Sequence, residues 1–184
     1  MHYFLLDANV LVPYYCDDGE DRSVRRRIGE LMACCAAKKV FLFVPNFCVA
    51  EVLKAFAKKC WQEKIYGGRA SDAREAFDKF REAFLDDVVD SKLLYSYELS
   101  RRHIRRSDEI YEAAAKHSFR EGAFPSAFDV LIVSMGMNLA RIHGPKGLTI
   151  ITADRPIYDI YRTDVKFFPH TINILETDIP KDLL

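Results

Sequence analysis

Four carboxylates stand out from the 27 acidic residues of this 184-residue chain because of where they interrupt apolar text. Asp7 ends a short apolar run, Tyr3 to Leu6, and is followed by the polar Asn9 and a second apolar run that reaches Pro13. A run this short, bounded by a charge, reads as a buried parallel strand. Asp7 then sits at its carboxyl end, where open α/β sheets place their ligand crevice; alternatively, it only caps the turn that follows. Asp154 repeats the arrangement two residues beyond Thr152 at the end of LTIIT, 148–152, and can equally be an N-cap ahead of Pro156. Carboxylates gathered in one crevice are ligands for hard divalent cations, which prefer oxygen donors.

The other two acids lie on helices. Asp129 is the only ionisable residue between Ala127 and Ala140, in text that is apolar nearly all round. A helix of that kind is buried, and an unpaired buried charge is very costly, so Asp129 needs a partner. One candidate partner is local, a capping box formed with Ser126. Glu51 belongs to a helix entered directly from a strand. Its helical spacing places it with Lys54, Lys58 and Gln62 on a solvated face, whereas its place in the first turns allows it to point at the same crevice as Asp7. Asp159 and Asp164 read as solvated residues of a short helix and its exit.

The elements that must position these acids follow from periodicity. Val40–Val44, Leu148–Thr152 and a stretch within 167–175 read as strands beside the first, with Pro169 confining the last to an edge or a start. Lys92–Tyr97 is compatible with a short strand. Helices are expected over 22–39, from Phe47 to about Lys64, over 70–85, within 100–117 and over 126–143. Asp17–Asp21 reads as a turn and Gly122–Pro125 as a break. Strands alternating with helices give an α/β fold with a parallel sheet and right-handed crossovers. The length suits one domain, 1–184, with a helical insertion within about 67–120.

Composition removes several function classes. Lys plus Arg equals Asp plus Glu, 27 each, so no net field draws in a polyanion, and nucleic-acid contact must use local patches. The candidates are Arg25, Arg26 and Arg27, and Arg101, Arg102, Arg105 and Arg106; solvated helix faces are the plainer account of both. The five cysteines show no metal-ligand spacing and read as reduced, mostly buried thiols. No leader pattern and no span-length apolar stretch occurs, so a cytoplasmic location without membrane association is expected. The five histidines are scattered without triad or ligand spacing, and no G-x-S-x-G is present. A haloacid-dehalogenase-type phosphatase would carry a second Asp where this chain has Asn9.

Taken together, LLDANVLV at Asp7, PNFCVAEVLKAF at Glu51, SAFDVLIVSMG at Asp129 and TIITADRPIY at Asp154 resemble, in order, the motifs of the PIN domain. This is the metal-dependent ribonuclease fold of VapC-like toxins in VapBC-type toxin–antitoxin pairs. The resemblance implies a PIN-like three-layer sandwich, a central parallel sheet flanked by helices. It implies that Asp7, Glu51, Asp129 and Asp154 converge on Mg²⁺ or Mn²⁺, and that Asn9, Ser126 and Thr152 orient the acids or a water. It further implies an RNA substrate, a homodimer and a small antitoxin partner. The alternative is a PIN-like module that binds RNA or protein without cutting. The interval from Glu51 to Asp129 is long for a compact toxin. Four acids in one crevice also repel, so at least one is expected to have a raised pKa without metal.

Overall fold

The computed structural model of the chain describes residues 1–16, 19, 21–90, 92–116 and 124–184. Parts of the turn expected at 17–21 and of the break expected at 122–125 therefore lie outside the described residues. Five strands form one sheet: β1 His2–Leu6, β2 Val40–Pro45, β3 Leu94–Tyr97, β4 Leu148–Thr152 and β5 His170–Asn173. All are parallel, in the order β3-β2-β1-β4-β5. The chain winds outward from β1 to β2 and β3, then returns across β1 to lay down β4 and β5. The direction of winding therefore reverses between β1 and β4, which is where an α/β sheet opens a crevice beyond its strand ends.

Between β1 and β3 run α1 Ala8–Tyr15, α2 Arg22–Ala36, α3 Asn46–Ala57 and α4 Ala70–Val89, with a π-helical turn, Lys58–Gln62, continuing α3. The second half carries α5 Arg101–Arg105, α6 Ser107–Ala115, α7 Ala127–His143 and α8 Arg155–Thr163. α1 to α4 pack among themselves, and α5 to α8 do likewise. Right-handed crossovers that change direction at β1 put these two sets on opposite faces of the sheet.

The second apolar run, to which periodicity assigns no element, is a helix, α1. Asp7, itself extended, accepts a hydrogen bond from the Ala8 N–H and so starts the helix. Val10, Leu11 and Val12 are buried, and that burial outweighs the poor helix propensity of valine and the N–H that Pro13 lacks. The helical text at 100–117 forms two helices, α5 and α6, that meet at Arg106, with Ser100 and His103 forming a capping box at the start of the first. The strand ends and the remaining helices lie close to their expected places.

α7 lies close against β4 because residue 136 is glycine. A Cβ there would fall 2.6 Å from Ile150 Cδ1 and 3.4 Å from Pro169 Cγ. On the other face, α4 is tied into the core: Phe84 is fully buried, its ring 5.2 Å from that of Tyr15 and 5.9 Å from that of Phe56, and the Tyr15 hydroxyl donates to Asp87. Among the described residues no helix is long and apolar enough to cross a membrane. Phe84→Ala should cost about 3–5 kcal/mol of stability through transfer and cavity terms. Urea unfolding should show this as a lower midpoint at unchanged slope; a shift within error would mean that α4 is peripheral.

Candidate active site

Asp7 and Thr152 meet because β1 and β4 are paired in register. Leu6 lies opposite Ile151, and the Asp7 N–H donates to the Ile151 carbonyl at 3.1 Å, extending the ladder by one residue. The next residue of β4, Thr152, then donates its hydroxyl to Asp7 Oδ2 at 2.8 Å. Asn9, in the first turn of α1, donates to the same oxygen at 2.8 Å. Its carbonyl oxygen accepts from the Ala153 N–H at 2.9 Å, so Asn9 clamps the end of β1 to the end of β4. The Thr152 hydroxyl also accepts from the Asp154 N–H at 2.9 Å, which sets the backbone that carries the second strand-end acid.

Asp154 occupies the N-cap position of α8 but makes no side-chain cap there, so its carboxylate is not spent on the helix. Asp129 does cap α7: Ser126 N–H donates to its Oδ2 at 2.7 Å, and Ser126 Oγ accepts from its N–H at 3.2 Å. The capping box is therefore present, and it coexists with electrostatic coupling of Asp129 to both Asp7 and Asp154. Glu51 is half-buried on α3, with a carboxylate oxygen in the same 4.8 Å cluster of ligand atoms as Asp7. The structure thus brings all four acids to one end of the sheet, from four different elements. Each of the three small polar residues singled out in the sequence bonds an acid or its backbone. Asp159 and Asp164 stay apart from this group; Asp159 pairs with Arg155, and Asp164 accepts from the backbone of Lys166 and Phe167.

Charge in this crevice is strained. Burial pushes Asp7 up from its ordinary value of 3.8 to about 7; the Thr152 and Ala8 hydrogen bonds oppose the shift, and the negative charges of Asp154 and Asp129 add to it. Burial is the larger of the raising causes, and the mutual repulsion expected from the sequence adds to it. Asp154 is raised as well, by burial and then by Asp129, with Asn9 pulling the other way.

Sequence pattern misses one participant. Cys48 is fully buried, one turn before Glu51 on α3, and its sulfur lies within 4.8 Å of ligand atoms of both Asp7 and Glu51. Burial, followed by those two acids, pushes its thiol far up, so it sits there protonated. The three-residue spacing to Glu51 is the available signal, and it is hidden by the lack of metal spacing among the cysteines as a group. The two basic patches fare differently. Arg26 pairs with Glu30 within α2, whereas Arg27 pairs with Asp178 at 2.5 Å and donates to the Ile174 carbonyl, so Arg27 holds the C-terminal segment against α2. Arg102, Arg105 and Arg106 instead line a recess on the α5 side.

No family model matches the chain, and no curated protein matches it. Among solved structures, it is similar to a chain of VapBC2 from Rickettsia felis bound to a DNA fragment from its promoter, at a TM-score of 0.51 and 15% identity, over 86% of this chain and 92% of that one. The fold is PIN-like. Its sheet and flanking helices match those of the VapBC2 chain, and at this identity the likeness speaks for the fold alone.

The raised Asp7 pKa makes a signed prediction. The folded state binds this proton more tightly than the unfolded chain, so its stabilising contribution is complete below about pH 4 and is lost as pH rises to about 7. Metal-free Asp7→Asn should therefore be more stable than wild type at pH 8, by up to a few kcal/mol at about 1.4 per pKa unit. The advantage should shrink toward pH 4. Urea unfolding of both proteins at pH 4, 6 and 8 would reveal this; a pH-independent difference would contradict it.

Proposed function

We propose that the protein is a divalent-metal-dependent endoribonuclease that hydrolyses RNA phosphodiester bonds, of the VapC-like toxin type. In this reading it acts as a homodimer with a small antitoxin as its partner. The observation that carries the reading is Asp7, a carboxylate buried at the switch point of the sheet, with Glu51 in ligand reach and two further acids close enough to raise its pKa. A group of acids this strained without a counter-ion fits a cation, because positive charge in the crevice would relieve the repulsion that raises Asp7 and Asp154. Asp7 and Glu51 would hold Mg²⁺ or Mn²⁺, with Asp129 and Asp154 completing the oxygen donors. A divalent cation bound there supplies acidity to water and countercharge to the leaving oxygen of an in-line phosphoryl displacement.

The chain's own residues keep the acids in place. Asn9 and Thr152 donate to one oxygen of Asp7 and so support its charged form. Ser126 fixes the backbone and one oxygen of Asp129. Thr152 joins Asp7 to the backbone of Asp154, so the two strand-end acids move as a unit. No nucleophilic Ser, Cys or His is required, and the protonated Cys48 fills space between α3 and Asp7 without serving as a ligand.

Purified wild type should cleave a mixed RNA pool with Mg²⁺ or Mn²⁺ and not with EDTA. Asp7→Asn and Asp129→Asn should lose at least about 100-fold in rate while remaining folded, the scale seen when one group that stabilises developing charge is removed. Mn²⁺ should raise the Tm of wild type and leave that of Asp7→Asn nearly unchanged. Saturable Mn²⁺ binding with no cleavage of any RNA would replace the enzyme with a binding module. Equal cleavage by wild type and both variants would trace the activity to a contaminant.

A further inference from the structure

We propose a second nucleic-acid contact, a cationic trough running from α5 to the end of the sheet opposite the acids, that grips the phosphate backbone of the RNA away from the scissile bond; this rests on the nuclease reading above. Two adjoining recesses of about 300 and 290 Å³ share Arg106 and Arg141. The first also takes Arg102 and Arg105 from α5, and the second takes Lys166 from the turn before β5. Arg141 lies near the end of α7, twelve residues after Asp129, or ~18 Å along the helix axis. Pro145 and Pro169, which also line the second recess, precede β4 and β5, so that recess opens at the amino ends of these two strands.

Three observations point to a phosphate ligand. The first is charge. Arg26, Arg27, Arg74, Arg81 and Arg155 are met by carboxylates. Among the described residues no ion pair takes up the five cations of the trough, and Glu109 is the only acid on its lining. With net charge zero overall, this is a local positive field. The second is rigidity. His103 is buried beneath the arginines; its Nδ1 accepts from the Ser100 N–H at 2.9 Å, so it is neutral and its Nε2–H faces the Tyr97 hydroxyl at 3.4 Å. Tyr97 also accepts from Asn138 Nδ2 at 2.6 Å, and Ser134 donates to the His103 carbonyl at 2.7 Å, which pins α5 to α7. The backbone that carries Arg102, Arg105 and Arg106 is thereby fixed, and their guanidinium groups, on side chains exposed at Arg102 and Arg105, are free to engage phosphate oxygens in pairs. The third is an aromatic neighbour: Phe167, half-exposed, lines the same trough, and cations beside an exposed ring suit a strand that offers phosphates and stacking bases rather than an acidic peptide.

A strand that reaches both sites must be longer than a few nucleotides, so long and short RNAs should part company. Binding is read by anisotropy in EDTA, on an Asp7→Asn background that cannot cut, with a long labelled hairpin RNA carrying a single-stranded arm and with a labelled tetranucleotide. Arg105→Gln/Arg141→Gln should weaken hairpin binding by at least about tenfold and reduce the slope of log K against log salt by about one for each phosphate no longer gripped. Arg105→Lys/Arg141→Lys should restore most of the slope and only part of the affinity, since lysine keeps the charge without the fork. The tetranucleotide should show no such length-dependent loss. Unchanged hairpin affinity and slope in the Gln variant would overturn the proposal. So would retained hairpin binding with loss of polyglutamate binding, which would assign the trough to an acidic protein. Metal-dependent cleavage of the tetranucleotide by wild type tests the acidic crevice by itself, so failure there and failure of the trough are told apart.

Discussion

The site depends on the parallel pairing of β1 with β4. That ladder delivers Asp7 and Thr152 side by side, and everything else in the crevice is attached to one of the two: Asn9 through both strand ends, Asp154 through the Thr152 hydroxyl, and Glu51 and Cys48 through their approach to Asp7. A slip of one residue in this register would exchange the faces of every side chain on β4 and carry Thr152 away from Asp7. The register is held by burial on both faces, since all five residues of β4 and Phe4 to Leu6 of β1 are buried. Core packing and the geometry of the acidic crevice are therefore one constraint. This is also why Gly136 matters to the site, for it lets α7 settle on Ile150 of β4 and so brings Asp129 to the same end of the sheet.

The energetic cost of the arrangement falls on the acids. A carboxylate that keeps good hydrogen bonds is normally held below its ordinary pKa, and Asp7 has three: from Ala8, Asn9 and Thr152. That it is raised to about 7 all the same means that burial and neighbouring charge outweigh them. A fold selected only for stability would have an amide or an apolar residue here. Keeping a strained acid where the sheet opens is the expected signature of a site in which the charge is used.

Much of this is legible in the sequence, and the limits have physical causes. The strands are visible because buried parallel strands are short, continuous apolar runs, and the strand-end acids are visible as their interruptions. α1 is not, because Val10 to Val12 read alike as strand or helix, and only the Asp7 cap and tertiary burial choose between them. Cys48 escapes notice because its partner in space, Asp7, is far away in the chain. Arg27 looks like half of a basic patch, yet it is mostly buried against the C-terminal segment, which it meets across nearly the whole length of the chain. What sequence patterns conceal here is long-range pairing.

The sequence also poses a choice that the structure dissolves. Asp7 and Asp129 each look like either a helix cap or a member of a site, and each is a cap. An ionised carboxylate has about four lone-pair positions on two oxygens, whereas a cap uses one or two. Asp7 gives Oδ1 to the Ala8 N–H and turns Oδ2 toward the crevice side, where Asn9 and Thr152 meet it; Asp129 gives Oδ2 to Ser126. The cap fixes the torsions of a side chain that would otherwise be free, and the helix dipole favours negative charge at the amino end of α7. Capping thus supplies the rigidity that a cluster of like charges otherwise lacks. Two acids locked by their own helices can stay close in spite of their repulsion, because each cap bond is local to its helix and does not depend on the other acid.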